Sequence, residues 1–169
     1  MREEHLVLRE AILSDAPRIA EIYLNSRAAF VGFAPLKYSD LEVENWVKNE
    51  LISKTKVMVA SVDEKLVGML GLAERGGFGW VDHLYLEPAE VNKGIGTRLV
   101  KWGMSELPHP IRLFTFQENT LSRRFYERLG FRAIGYTDGA ENEEGCPDVL
   151  YEYGGIERFV DSGKIIDKD

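Results

Sequence analysis

Two glycines, Gly94 and Gly96, close an apolar run and open a segment with helical spacing. The run ends L-Y-L-E-P at Leu84 to Pro88, a polar link follows, and Ile95, Leu99, Val100 and Trp102 recur at helical intervals. A strand that passes through glycines into a helix is suited to holding an anion. The first N–H groups of a helix have no internal partner, and the helix dipole adds partial positive charge there. Glycine removes the Cβ that would keep a phosphate from the amides. Two familiar phosphate loops do not fit. A P-loop places Lys and Ser/Thr after its last glycine, whereas Lys93 precedes Gly94 and Thr97 follows Gly96 directly. The dinucleotide fingerprint needs a third glycine where this chain has Leu99. A G-x-G at a helix start also serves as a packing or capping device.

A second constellation reads N-T-L-S-R-R-F-Y-E-R-L-G-F from Asn119 to Phe131. Asn119 and Tyr126 lie two helical turns apart and share a face. Taken alone, Asn119 is an N-cap and Tyr126 a core aromatic. A third group, Asp82 and His83, stands on the strand before the glycines. On a regular strand Trp80, Asp82, Leu84 and Leu86 share one face, and His83 and Tyr85 the other. Either Asp82 or His83 can take up a proton, and His83 has the better intrinsic pKa. Cys146 is a poor nucleophile because no histidine is near it in sequence.

The elements that must position these residues follow from local signals. His5 to Arg9 alternates as a first strand. Ser14 and Asp15 offer N-cap oxygens and Pro17 sits in the first turn, predicting a helix that carries Ile19, Ile22 and Tyr23 and fades near Ala29. Phe30 to Tyr38 is an aromatic loop broken by Gly32 and Pro35; Phe30 and Phe33 either plug the core or wall a substrate pocket. Ser39 and Glu42 form a capping box for a helix bearing Leu41, Val43, Trp46, Val47 and Leu51. Lys56–Val62 and Leu66–Ala73 make a hairpin, and Phe78–Leu86 is a third antiparallel strand. A helix over about 94–106, the strand Ile111–Phe116, a helix over Asn119–Leu129 stopped by Gly130, and the strands Phe131–Tyr136 and Val149–Tyr153 complete the pattern. Asp138 to Asp148 is an acidic loop. The order β α α β β β α β α β β predicts one α/β domain over 1–153, with a mixed, mostly antiparallel sheet flanked by helices. Residues 154–169 read as a polar, mobile tail, in which Ile156, Phe159 and Val160 make either a short helix or an interface such as a homodimer would use.

Composition restricts the partners. At 169 residues the chain fits one domain with a sizeable core. The net charge of −7 argues against a nucleic-acid partner held by phosphate contacts and sits more easily with a cationic substrate. With one cysteine no intrachain disulfide forms, which suggests the cytoplasm. No basic start leads into an apolar run, so no signal peptide is expected. No run is long enough for a membrane span, and no metal site is assigned.

The glycine stretch resembles the acetyl-CoA pyrophosphate loop of the GNAT acetyltransferase superfamily, Gln/Arg-x-x-Gly-x-Gly/Ala. It reads here Val91, Asn92, Lys93, Gly94, Ile95, Gly96, with valine departing at the first position. Asn119 with Phe125-Tyr126-Glu127 and Gly130-Phe131 resembles the family's C-terminal half-site, and the element order is that of the GNAT fold from Leu6 to about Tyr153.

The resemblance implies direct transfer of an acetyl group from acetyl-CoA to an amine. Residues 91–97, including Thr97, would hold the pyrophosphate. Backbone groups of Leu84, Tyr85 and Leu86 would bind pantetheine and the oxyanion, Asn119 would contact CoA, and Tyr126 would protonate the leaving thiolate. The base matches positions Trp80 or Asp82 of this strand. Trp80 cannot serve, so Asp82 is the first choice, acting through water, with His83 requiring a bulge. Phe30, Phe33, Trp80 and Asp82 are the expected acceptor contacts. Two other readings stand beside this one: a module of the same fold that binds acyl-CoA without turnover, and an unrelated phosphate-binding α/β domain.

Overall fold

The glycine stretch sits at the middle of a seven-stranded sheet of order β1-β2-β3-β4-β5-β7-β6. The computed structural model describes residues 5–154 and the backbone of 157–161 and 164–168. The strands are β1 (Leu6–Glu10), β2 (Lys56–Val62), β3 (Lys65–Arg75), β4 (Phe78–Leu86), β5 (Ile111–Phe116), β6 (Arg132–Tyr136) and β7 (Asp148–Tyr153). All neighbours pair antiparallel except β4 and β5, which are parallel. The helices are α1 (Ala16–Phe30), α2 (Asp40–Trp46), α3 (Ile95–Glu106) and α4 (Thr120–Arg128). This is the mixed, mostly antiparallel α/β sheet expected from the sequence.

The helix starts follow local chemistry. The Ser39 hydroxyl accepts from the Glu42 N–H at 3.2 Å, and Glu42 reaches back to the Ser39 N–H, closing the capping box. Asp15 precedes α1 but caps differently from expectation. Its carboxylate accepts from the Ile12 N–H and from Arg9, and so anchors the short 3₁₀ turn Leu13–Asp15 to β1. After Trp46 the backbone widens into a π-helical stretch, Val47–Ile52. Val43, Val47 and Leu51 then recur every four residues and are buried, whereas Leu41 faces solvent, 67% exposed. The β2–β3 turn is made by Asp63 and Glu64, both in the left-handed region.

Two cores form, one on each face of the sheet. One lies under α3 and α4 and includes Leu70, Leu72, Leu99, Val100, Leu113, Phe131 and Tyr151. The other lies under α1 and α2 and includes Ile19, Ile22, Tyr23, Val47, Val59 and Met69. Gly103 lets α3 press onto β3, since a Cβ there would stand 2.6 Å from Leu70 Cδ2. Beyond β7, β8 (Glu157–Asp161) and β9 (Lys164–Lys168) pair antiparallel with each other. Phe159 and Val160 therefore lie in a strand and not in the short helix offered as one alternative; Ile156 lies outside the described residues. Among the described residues no helix is long and apolar enough to cross a membrane.

Candidate active site

The sheet opens between β4 and β5. Their ladder consists of Gly79↔Ile111 and Trp80↔Arg112, after which the strands run on to Leu86 and Phe116 without pairing. A bulge on the other side of β4 accompanies this opening. Gly71 pairs with His83 and Leu72 with Val81, so Asp82 is left without a partner on β3. A bulge bends its strand and adds twist.

The bulge overturns the regular-strand parity. Val81, Leu84 and Leu86 pack with the α3–α4 core, while Tyr85 packs with the α1–α2 core and His83 lies against Trp46 there. Trp80 stacks on Phe114 at 5.8 Å, with the rings 18° apart. Trp80 and Asp82 thus do not share the face of Leu84 and Leu86. Asp82 is instead gripped by Arg75 through two bonds of 2.7 and 2.8 Å. The Arg75 guanidinium also lies over the Trp80 ring, 4.7 Å from its centre.

A cavity of about 540 Å³ occupies the opening and joins the two faces of the sheet. On the α4 side its wall includes Leu84, Asn119, Ser122 and Tyr126. On the α1 side it includes Arg27, Val31, His83, Tyr85 and Phe116, and the β6–β7 loop contributes Glu141, Asn142, Glu144 and Asp148. Asp82 also reaches the wall, whereas Leu86 does not.

Tyr126 is 6% exposed, its ring edge-on to Phe125 and Phe131 at 5.0 and 5.6 Å. Burial pushes its phenol above the ordinary value of 10, with Tyr85 acting in the same direction. The hydroxyl therefore keeps its proton across the neutral range. Burial moves the His83 imidazole the other way, below 6.5; Asp82 opposes the shift, while Arg27 and Arg75 reinforce it. His83 is then neutral near pH 7. Its ring stands edge-on to Trp46 at 5.1 Å, and its Nδ1 is buried without a hydrogen-bond partner among the described residues.

Asn119 caps α4, its Oδ1 accepting from the Ser122 N–H at 3.2 Å, so the capping role and the place in the cavity wall coexist. The two glycines of the loop prove unequal. Gly94 is the N-cap of α3 with φ 84°, and a Cβ there would meet no atom within 4 Å. It combines a left-handed backbone with open space in front of the helix N-terminus. At Gly96 a Cβ would meet Leu86 at 3.4 Å and Phe125 at 3.5 Å, making it a packing glycine that seats α3 between β4 and α4. Val91, Asn92 and Lys93 form the turn before Gly94, with Asn92 at φ 63° and Lys93 paired to Glu90 at 3.3 Å. Ile95 and Thr97 belong to the first helical turn. The loop stands beyond the cavity wall, linked to it by the Gly96 contact with Phe125, the neighbour of Tyr126.

The aromatic loop contributes less directly than expected. Phe30, Phe33 and Trp80 are outside the wall, where Val31 takes part instead. Phe33 supports it from behind, edge-on to Phe116 at 5.6 Å. Sequence reasoning missed Arg27, which is 6% exposed. Its guanidinium donates to the Ala34 carbonyl at 2.9 Å and stands 3.6 Å from Glu144. The signal was present: Ile19, Tyr23 and Arg27 recur every four residues on the buried face of α1. The acidic loop is tied to the α1–α2 loop by Lys37 Nζ donating to the Glu143 carbonyl at 3.2 Å, and by Cys146 Sγ near the Phe33 carbonyl.

Known proteins of the same architecture share this arrangement of strands. The apo-form of YjaB from Escherichia coli superposes with a TM-score of 0.70 at 20% identity, over 89% of this chain and 99% of that one. The PaiA N-acetyltransferase of Thermoplasma acidophilum, solved in complex with coenzyme A, gives 0.68 at 22% identity, over 88% and 98%. YncA from Salmonella typhimurium, a putative acetyltransferase solved with its cofactor acetyl-CoA, gives 0.65 at 18% identity, over 88% and 92%. At these identities the likeness is one of fold. No curated protein sequence matches the chain. The family model described as "Acetyltransferase (GNAT) family" matches residues 18–131, from α1 through the end of α4 and so across both walls of the opening. With that match extending over more than half of its length, the chain belongs to the GNAT family of acetyltransferases and is an acyltransferase.

Proposed function

We propose that the protein transfers the acetyl group of acetyl-CoA directly to a primary amine, with His83 as base and Tyr126 as acid. The observation that carries this reading is the opening between β4 and β5, which brings a neutral imidazole and a protonated phenol to one cavity. Two complexes among the structural relatives, one with coenzyme A and one with acetyl-CoA, support the choice of donor.

The residues present fit acetyl-CoA as co-substrate. Gly94 leaves the α3 N-terminus open to a pyrophosphate, and Asn92 and Gly94 turn the chain so that the first-turn amides face outward. The backbone of Leu84–Leu86, unpaired toward β5, offers N–H groups to pantetheine and to the thioester oxygen. Asn119 and Ser122 line the path to Tyr126.

In the reaction, the amine nitrogen forms a bond to the thioester carbonyl carbon, and the oxyanion is held by β4 N–H groups. The acceptor arrives largely as ammonium, because an alkylamine has a pKa near about 10; His83, directly or through one water, takes its proton. As the C–S bond breaks, Tyr126 donates its proton to the sulfur. His83 gives the ammonium proton up to solvent, and the second proton of the nitrogen, lost from the tetrahedral adduct as the amide forms, returns through His83 and water to the Tyr126 phenolate. Asp82, first in the sequence reading, orders Arg75 beneath Trp80 in this account and does not take the proton. A lone Cys146 fits a reducing compartment, so we place the reaction in the cytoplasm.

The test is release of thiol from acetyl-CoA that depends on added amine. The reading expects release proportional to amine consumed. Tight binding of acetyl-CoA with no release across a broad amine panel would contradict it and favour the binding-module alternative.

A further inference from the structure

We propose that the acceptor is a diammonium, an alkyl amine carrying a second positive charge, and that Asp148 and Glu141 hold the charge that does not react. The inference rests on the transferase reading above and names the class of substrate for that same cavity.

Charge in the wall of the opening is not balanced within the protein. Five charged side chains reach the cavity wall: Arg27, Asp82, Glu141, Glu144 and Asp148. Two of the carboxylates have counterions. Asp82 is clamped by Arg75, and Glu144 stands against Arg27. Asp148 and Glu141 make no ion pair with any described residue. Asp148 is the more telling. It is 9% exposed, and its partners are neutral: the Thr137 hydroxyl donates to one oxygen and the Asn142 amide to the other at 3.1 Å. A carboxylate removed from water and held only by neutral donors keeps its charge uncompensated, which is costly in a protein interior. A cation in the cavity relieves that cost.

Arg27, the one cation in the wall among the described residues, is itself engaged by Glu144 and the Ala34 carbonyl and makes no ion pair with Asp148 or Glu141. Val31 and Phe116 add apolar wall to the same cavity, which suits an alkyl chain. One ammonium loses its proton at His83 and attacks; the other remains charged against Asp148 and Glu141. An acceptor bearing a carboxylate would face Asp148, Glu141 and Glu144 with only Arg27 to meet it, and Arg27 is already engaged by Glu144 and Ala34.

The experiment compares butane-1,4-diamine, n-butylamine and 4-aminobutanoic acid as acceptors for the wild-type protein, Glu141→Gln and Asp148→Asn. Thermal midpoints check the fold of each variant. The proposal expects kcat/KM at least about ten-fold higher for the diamine than for n-butylamine, with 4-aminobutanoic acid the poorest. The diamine-to-monoamine ratio should fall about ten-fold in Glu141→Gln, an exposed position where folding is not at risk, and further in Asp148→Asn. A preference for 4-aminobutanoic acid would overturn the proposal and transfer recognition to Arg27. Equal use of diamine and monoamine, or a ratio unchanged in both variants, would overturn it while leaving the transferase reading intact. No thiol release with any amine would contradict the transferase reading itself.

Discussion

Arg75 holds both carboxylate oxygens of Asp82, at 2.7 and 2.8 Å, across the bulge that separates Val81 from His83. Both oxygens of that carboxylate are engaged by the guanidinium, and His83, on the far side of the bulge, lies in the cavity wall. In the proposed reaction these two adjacent residues exchange the roles that strand parity assigned to them.

The first prediction concerns this exchange. His83→Gln should lower kcat by roughly 10²–10⁴-fold, the usual range for a lost general base, while Asp82→Asn should cost about ten-fold or less. The sign of the pH dependence follows from burial. The imidazole must be neutral to accept a proton, and its pKa lies below 6.5. In the wild type, kcat at saturating substrates should fall only as pH drops below that value. His83→Gln should abolish that acid limb and Asp82→Asn should keep it. The paired pH–rate profiles decide; loss of the limb in Asp82→Asn alone would return the base to Asp82.

Tyr126 provides the second. Its hydroxyl sits in an aromatic pocket of Phe125 and Phe131, so Tyr126→Phe keeps the packing. Turnover should drop about 10²–10⁴-fold while acetyl-CoA affinity, measured by calorimetry, changes less than about three-fold. Because burial raises the phenol pKa above 10, the wild-type rate should show no alkaline decline from this group up to pH 10. A fall in kcat below pH 9 that vanishes in Tyr126→Phe would place the pKa wrongly.

A third prediction separates the two glycines. Gly94→Ala keeps open space but forces alanine to φ 84°, a strain of about 1–2 kcal/mol. Gly94→Glu adds size and charge at the α3 N-terminus and should weaken acetyl-CoA binding well beyond Gly94→Ala. Gly96→Ala, meeting Leu86 and Phe125 at ordinary contact distances, should bind acetyl-CoA nearly as the wild type does. Equal affinities for Gly94→Glu and the wild type in folded proteins would remove the pyrophosphate from this loop.

Much of this arrangement was legible in the sequence, because local chemistry fixes it. Ser39 and Glu42 announce α2 through their reciprocal bonds, and Asn119 announces α4. What was not read was phase. Val81 and Leu84 are three apart, whereas a regular strand keeps one face at intervals of two, and that break is the trace of the bulge. The same holds from α2 into the π-helical stretch after it, where Val43, Val47 and Leu51 repeat at four. Leu41 falls off this stripe and is exposed. The acidic loop showed its charge but not its destination, since the contacts of Glu144 with Arg27 and of Lys37 with Glu143 bridge segments far apart in the chain.

A fourth prediction tests the anchoring of α1. The Arg9 guanidinium holds the Asp15 carboxyl below its ordinary 3.8, against the opposing effect of burial, and the Ile12 N–H adds to the lowering. A carboxyl whose folded pKa is depressed contributes stability above its unfolded pKa and loses it as pH falls through the folded one. Asp15→Ala should therefore lower the unfolding free energy at pH 7 by roughly 1–2 kcal/mol, given the partial exposure of Arg9. The difference from wild type should shrink as pH falls below 3.8. A difference that is constant from pH 7 to pH 3 would mean that the ion pair contributes nothing.

The most direct test of the central claim is a product balance in the first turnover. Enzyme loaded with acetyl-CoA is mixed with butane-1,4-diamine or n-butylamine, and thiol and N-acetylated amine are quantified together by mass spectrometry and a thiol reagent, for the wild type and for Tyr126→Phe. The account predicts one acetylated amine for each thiol released by the wild type, with both slowed in parallel in the variant. Thiol released without acetylated amine, or neither product from a folded protein that binds acetyl-CoA, would contradict acetyl transfer through the opening between β4 and β5.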